Sequence, residues 1–169
     1  WFDPAREREA AMTLMDQNAD VLSFQVASTA VMAAAQERGK MAIAFHSDMR
    51  QQGPDAQLLA VTHYWGSYYT ARAKAVQNGT WQAGDFWGGV KDGMVKVEHF
   101  GPKLPQAVRQ ELLARQQEMA AGKLNPFAAV AGDVRDNQGQ VRIAQGMHAT
   151  DAQLHAMKWL VEGVVGSAQ

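Results

Sequence analysis

Val21-Leu22-Ser23-Phe24-Gln25-Val26, a helix-forming stretch through Ala30, Val31, Ala34 and Ala35 that stops at Gly39, and then Met41-Ala42-Ile43-Ala44-Phe45 decide the fold. The two apolar runs are short and unalternating, as expected of strands buried on both faces. The helix between them lets the second strand run parallel to the first, by a right-handed crossover. A third strand follows from Leu58 to Val61. Alternating strands and helices with short connections predict an α/β fold, a three-layer sandwich with a mainly parallel sheet.

Working outward, Asp3-Pro4 starts a helix: Asp3 can accept amide hydrogen bonds, Pro4 lacks the amide that would go unpaired, and Glu7 and Glu9 suit the helix dipole. Asn18 marks its stop, and Ser28 caps the next helix. Downstream, residues 65–77 read as a helix closed by Asn78-Gly79, and a Gly- and Trp-rich loop from Thr80 to Gly93 leads to a strand from Met94 to Phe100. Pro105 opens an amphipathic helix carrying Val108, Leu112, Leu113 and Met119. Asp136-Asn137-Gln138-Gly139 reads as a hairpin turn between Ala129–Val134 and Gln140–Ala144, and Thr150 caps a final helix through Trp159 to Val161.

The chain has 169 residues, 47% hydrophobic and 20% charged, with 16 Lys+Arg against 17 Asp+Glu. That is enough chain for one sizeable core, burying roughly 70% of the extended surface. The cations form no block, so phosphate-driven binding of nucleic acid is not expected. No apolar run approaches the roughly 20 residues that span a bilayer. With no cysteine, disulfides and thiol catalysis are excluded. The opening on Trp1 rather than Met, with a helix almost at once, reads as a processed or cut product.

In a parallel sheet the ligand crevice lies beyond the carboxyl ends of the strands, where loops diverge and helix amides point inward. That rule gathers Val26-Ala27-Ser28, His46-Ser47-Asp48 and Thr62-His63-Tyr64 on one rim, with Trp1 joining if a further strand preceded it. An aromatic plate, a carboxylate, two imidazoles and hydroxyls suit a small, flat, polar ligand. The competing readings are plain. His46, Asp48 and His63 could ligate a metal, but no metal-ligand spacing supports it, and no cofactor is expected. Asp48 could merely cap a turn. Ser47, His63 and Asp48 could form a triad, but no nucleophile elbow is present. Trp65 and Tyr69 share a helix face, and Gly88-Gly89 is too short to cradle phosphate.

Trp1-Phe2-Asp3-Pro4, Asn18-Ala19-Asp20-Val21, Ser47-Asp48-Met49, Trp65-Gly66-Ser67-Tyr68-Tyr69, Gly79-Thr80-Trp81, Trp87-Gly88-Gly89-Val90-Lys91-Asp92-Gly93, Gly122-Lys123-Leu124-Asn125-Pro126-Phe127 and Trp159-Leu160-Val161-Glu162-Gly163-Val164 together resemble the basic membrane protein family. These are substrate-binding proteins of ABC transporters with the type I periplasmic binding protein fold, many of them nucleoside or purine binders. The resemblance implies the carboxyl-terminal portion of such a protein, without most of its amino-terminal lobe. It implies a lobe core over 1–64, a crossover helix and loop over 65–93 that would pack on the missing lobe, and a remainder over 94–169 with the hairpin and closing helices. It further implies binding without catalysis, a purine base such as adenine or a nucleoside as ligand, and an ABC permease as partner. A periplasmic or extracytoplasmic location, with a lipid anchor on the full-length protein, also belongs to it.

By the same resemblance Trp1 stacks on the base, Ser28 approaches the ligand from a helix amino terminus, and Asp48 is the second acid of its loop. His46 lies where many relatives carry an Asp that grips ribose hydroxyls, and His63 where a Lys or Asp is often found. A neutral imidazole cannot accept two hydroxyls as a carboxylate can, so a free base is as credible as a nucleoside. The runner-up reading is a small α/β hydrolase or transferase using His46, Asp48 and His63. Trp65, Tyr69, Trp81 and Trp87 are expected either to be exposed or to be covered by another copy of the chain, so self-association of the fragment is a further expectation. Its ligand affinity is expected to fall far below that of the whole protein.

Overall fold

In a computed structural model, which describes residues 2–168, the first helix α1 spans Pro4–Asp16. The Asp3 carboxylate accepts the Arg6 amide at 3.2 Å as its cap, and the chain leaves the helix through Asn18 with a left-handed φ of 68°. Next come β1 (Val21–Ser23), α2 (Ala30–Glu37), β2 (Met41–His46) and β3 (Gln57–His63). The three strands run parallel, β2 between β1 and β3, and β4 (Val95–Glu98) adds antiparallel to β3. The mainly parallel sheet read from the sequence is therefore present.

Strand β1 is shorter than expected. Its ladder ends at Ser23↔Ile43, after which Phe24 and Val26 pack against the core instead of continuing along the sheet edge. One sheet face, with Leu22, Ala42, Ala44 and Ala60, packs on Ala11, Met15, Val31, Met32, Ala34 and Ala35 of the two helices. Alanine on both sides allows close approach of helix to sheet. Met32 fills the remaining space and is fully buried, a contribution of roughly 1.5–3 kcal/mol by area. Arg8 and Glu37 tie α1 to α2 at 2.5 Å, in an exposed pair worth about 0–1 kcal/mol.

The other sheet face is open, with Phe24, Ile43, Phe45 and Val61 bordering a groove of about 330 Å³. Helix α3 (Gly66–Gln77) and helix α4 (Gln106–Ala120) bury no residue. Of the expected apolar stripe of α4, Leu112 and Met119 are only half-buried, and Val108 and Leu113 are exposed. A hydrogen bond ties the helix to β4, the Val97 amide donating to Gln116 Oε1 at 2.5 Å.

The chain divides into two compact units, one ending at Gly122 and one beginning at Lys123. Strand β4 joins the sheet of the first. In the second, β5 (Val134–Arg135) and β6 (Val141–Ile143) form the hairpin, shorter than expected. Buried Asp136 accepts the Gln138 and Gln140 amides at 2.9 Å and Arg142 Nε at 2.7 Å. Thr150 and Gln153 form a capping box on α5 (Asp151–His155). That helix was expected to reach Val161, but the chain turns extended, with Leu160 accepting the Asn137 amide at 2.8 Å and Glu162 donating to Arg135 at 2.9 Å. Pairing with the hairpin outweighs local helical preference.

Candidate binding site

The carboxyl ends of β2 and β3 lie side by side because His46 pairs with Thr62, and Phe45 with Val61. Alternation sends Phe45, Val61 and His63 to one face and would send His46 to the other. His46 departs from alternation with φ 69°, a left-handed conformation that histidine enters more readily than most residues. Its ring thereby meets His63, Nδ1 to Nδ1 at 2.9 Å. Phe45 touches both, with ring centroids 3.8 Å from His46 and 5.5 Å from His63. Burial, and then the charge His46 would carry, hold the His63 imidazole below its ordinary 6.5.

Ser28 and Asp48 form separate clusters. The Ser28 hydroxyl donates to Glu7 Oε2 and accepts the Ala30 amide at 3.1 Å, while Glu7 Oε1 accepts the Asp3 amide at 3.0 Å. The Ser28 bond is the main reason that the Glu7 carboxyl lies below its usual range. Ser28 thus fastens α2 to α1, its proton already used. Asp48 accepts Arg50 Nε at 2.9 Å and Nη2 at 2.6 Å, its own i+2 amide at 3.1 Å, and Gln57 Nε2 at 3.1 Å. The Arg50 hydrogen bond holds the Asp48 carboxyl far below the usual carboxylate range. So the turn-capping bond is present, and Asp48 and His63 each bond elsewhere, which leaves no triad. Trp1 lies outside the described residues.

Two participants were not singled out in the sequence. Gln57 is fully buried and satisfied: Oε1 accepts the Met49 amide at 2.8 Å, and Nε2 also donates to the His99 carbonyl at 2.7 Å. A lone amide opening an apolar strand was the only signal. Glu98 accepts Thr62 Oγ1 at 2.6 Å and the Tyr64 hydroxyl, and Lys96 Nζ sits 4.3 Å from the Tyr64 ring centre. Burial pushes the Glu98 carboxyl up, but the Thr62 and Tyr64 bonds with the His99 and Lys96 charges bring it below its usual value.

Beside this edge, Trp65, Tyr69, Trp81 and Trp87 are 46%, 62%, 52% and 64% exposed. Trp65 stacks on Tyr69 at 5.9 Å, and Tyr68 meets Phe86 at 5.1 Å. Among the described residues no group of three or more His, Cys, Asp or Glu could hold a metal ion. The second unit has a larger cavity, about 660 Å³, but Phe127, Ile143, Leu154, Met157 and Trp159 make it apolar and its Arg142 is paired with Asp136. The polar valences suited to a small ligand lie instead at His46 and His63.

The family described as ABC transporter substrate-binding protein, PnrA-like, matches residues 1–133. A purine-binding protein of Brucella abortus is 38% identical over 97% of this chain and 46% of its own length. A putative ABC transporter glucose-binding protein of Haloferax volcanii is 30% identical over 78% of this chain and 34% of its own. A crystal structure of a transcriptional activator of the comK gene from Bacillus halodurans matches with a TM-score of 0.63 and 22% identity, over 75% of this chain and 45% of that one; at that identity the likeness speaks for the fold alone. The chain spans less than half the length of the curated relatives it matches.

Proposed function

We propose, for a chain that belongs to the PnrA-like family of ABC transporter substrate-binding proteins, that it forms one wall of a cleft binding a purine base or nucleoside for import, without turnover. The observation that carries this reading is the meeting of Phe45, His46 and His63 at the carboxyl ends of adjacent parallel strands. It offers a flat apolar ring and imidazole hydrogen-bonding edges, the combination a planar heterocycle needs. The identity to a purine-binding protein along nearly the whole chain supports the same choice.

In this reading β3 and β4 carry the chain out of the lobe and back, with the Tyr64 amide donating to the Met94 carbonyl at 2.8 Å where they part. Residues 65–93, with their exposed aromatics, would then face a second lobe, and closure about the ligand would present a surface to a permease. The whole protein would work outside the cytoplasm, with a lipid anchor as its tether. Trp1 would lie over the base, and Ser28 and Asp48 would shape the rim through their own bonds.

Native mass spectrometry of the full-length protein tests the proposal. A purine base or nucleoside that is retained, and recovered unaltered after denaturation, is the expected result. A bound sugar would overturn the ligand class, and a chemically altered product would favour the hydrolase reading. Calorimetry on the isolated chain should give an affinity far below that of the whole protein; equal affinities would break the two-lobe view.

A further inference from the structure

The 2.9 Å contact between His46 Nδ1 and His63 Nδ1 constrains more than ring positions. Two neutral imidazoles can make it only if one nitrogen carries the proton and the other offers a lone pair. Each neutral ring has one N–H, so the choice at Nδ1 fixes the opposite choice at Nε2. The ring donating through Nδ1 has an Nε2 acceptor, and the ring accepting at Nδ1 has an Nε2–H donor. Reversing the pair takes two proton transfers, one between the Nδ1 atoms and one from Nε2 to Nε2 through water or a bound ligand, because moving the shared proton alone would leave an imidazolate beside an imidazolium.

We infer that His46 and His63 form one tautomer-coupled recognition unit, presenting one donor and one acceptor through their Nε2 atoms to a neutral heterocycle that carries a ring acceptor and an N–H. This deepens the purine-site reading and rests on it. Among the described residues neither Nε2 has a hydrogen-bond partner. Phe45, which borders the open groove, flanks both rings. The lowering of His63 keeps its ring neutral at pH 7, as the unit requires. Unlike a carboxylate, which only accepts, the pair can meet a ligand edge in either orientation. It therefore matches a base edge that carries one acceptor and one N–H, whereas a sugar diol could place only one of its two hydroxyl protons on the pair.

The test is 15N NMR of the histidines in the full-length protein near pH 7.5, without ligand and with adenine. The expected ligand-free result is opposite tautomers at the two rings, or a coupled exchange between them, and adenine should shift both Nε2 resonances. His46→Asn, which tolerates the left-handed backbone, and His63→Phe, which keeps a ring, should each return the remaining histidine to the ordinary mixture of tautomers. The double variant should weaken adenine binding about 10- to 100-fold, the loss of two neutral hydrogen bonds. Both ligand-free rings protonated at Nε2 would overturn the unit itself. Adenine binding with both Nε2 signals unmoved, or with undiminished affinity in the double variant, would overturn its recognition role while leaving the purine reading intact. Failure of adenine and adenosine alike to bind would overturn the purine reading and the ligand half of this inference, with the ligand-free tautomers still deciding the other half.

Discussion

Helices α2 and α3 belong to the same unit and have opposite surroundings. In α2, Val31, Met32, Ala34 and Ala35 are buried, so the helix is held by the sheet beneath it. The longer α3 buries nothing and keeps its shape through its own surface: the Trp65–Tyr69 stack, the Tyr68–Phe86 contact, and Arg72 placed 5.0 Å over the Tyr68 ring. Such aromatic pairs are worth about 0.5–1.5 kcal/mol each, and an isolated helix under roughly 12–15 residues is marginal in water. The difference teaches that α2 belongs to a finished core, while α3 displays aromatic surface whose burial would be the larger source of stability.

Hydrogen exchange should separate the two helices by the largest margin. Amides of α2 and β2 should exchange only through global unfolding, and those of α3 through local opening, a separation of about 1,000-fold or more in protection. Equal protection would mean that α3 is held by more than its own surface contacts.

One substitution made at two glycines probes the same contrast. A Cβ on Gly101 would stand 1.6 Å from the Gln57 carbonyl oxygen, whereas one on Gly66 meets nothing within 4 Å. Gly101→Ala has to displace backbone at the buried start of β3, and should cost about 2–4 kcal/mol in denaturant unfolding. Gly66→Ala, in the first turn of α3, should stabilise by about 0.5–1 kcal/mol by restricting the unfolded chain. A neutral Gly101→Ala would show that the segment after β4 can move away from the start of β3.

The finished core was the legible part of the chain. The run Met41-Ala42-Ile43-Ala44-Phe45 signals a strand by its length and the glycine before it, although only Ala42 and Ala44 of it are buried, and Asp3-Pro4 signals a helix start without reference to anything distant. The site was half legible. That His46 and His63 end neighbouring strands follows from the parallel order, but their contact depends on a left-handed backbone at His46, which tertiary packing imposes and no local pattern announces. Asp48 was visible as an acid near the rim, whereas its commitment to Arg50 and Gln57 depends on how a short crossover folds back over the sheet. The early end of α5 has the same origin, since Leu160 and Glu162 pair with residues far away in sequence.

Acid titration of stability is the gentlest probe, and it separates the two rim clusters by pH. The His63 imidazole is held below its ordinary 6.5, so on acidification the unfolded chain takes up a proton before the folded one does. Folding stability should therefore begin to fall near pH 6.5 and level off once the folded-state value is passed. His46 on β2 is the titratable group that faces His63; Glu98 on β4 is occupied by Thr62 and Tyr64. Asp48 acts in the other window: its carboxyl is depressed from 3.8 by Arg50, so its contribution is whole above about pH 4 and is lost as the pH drops toward the folded value. Both groups are partly exposed, and each step should be small. His63→Phe should erase the upper step and leave the lower one, and Arg50→Gln should do the reverse. An upper step that survives His63→Phe would assign the titration to another group and would remove the support that a neutral His63 gives the imidazole pair.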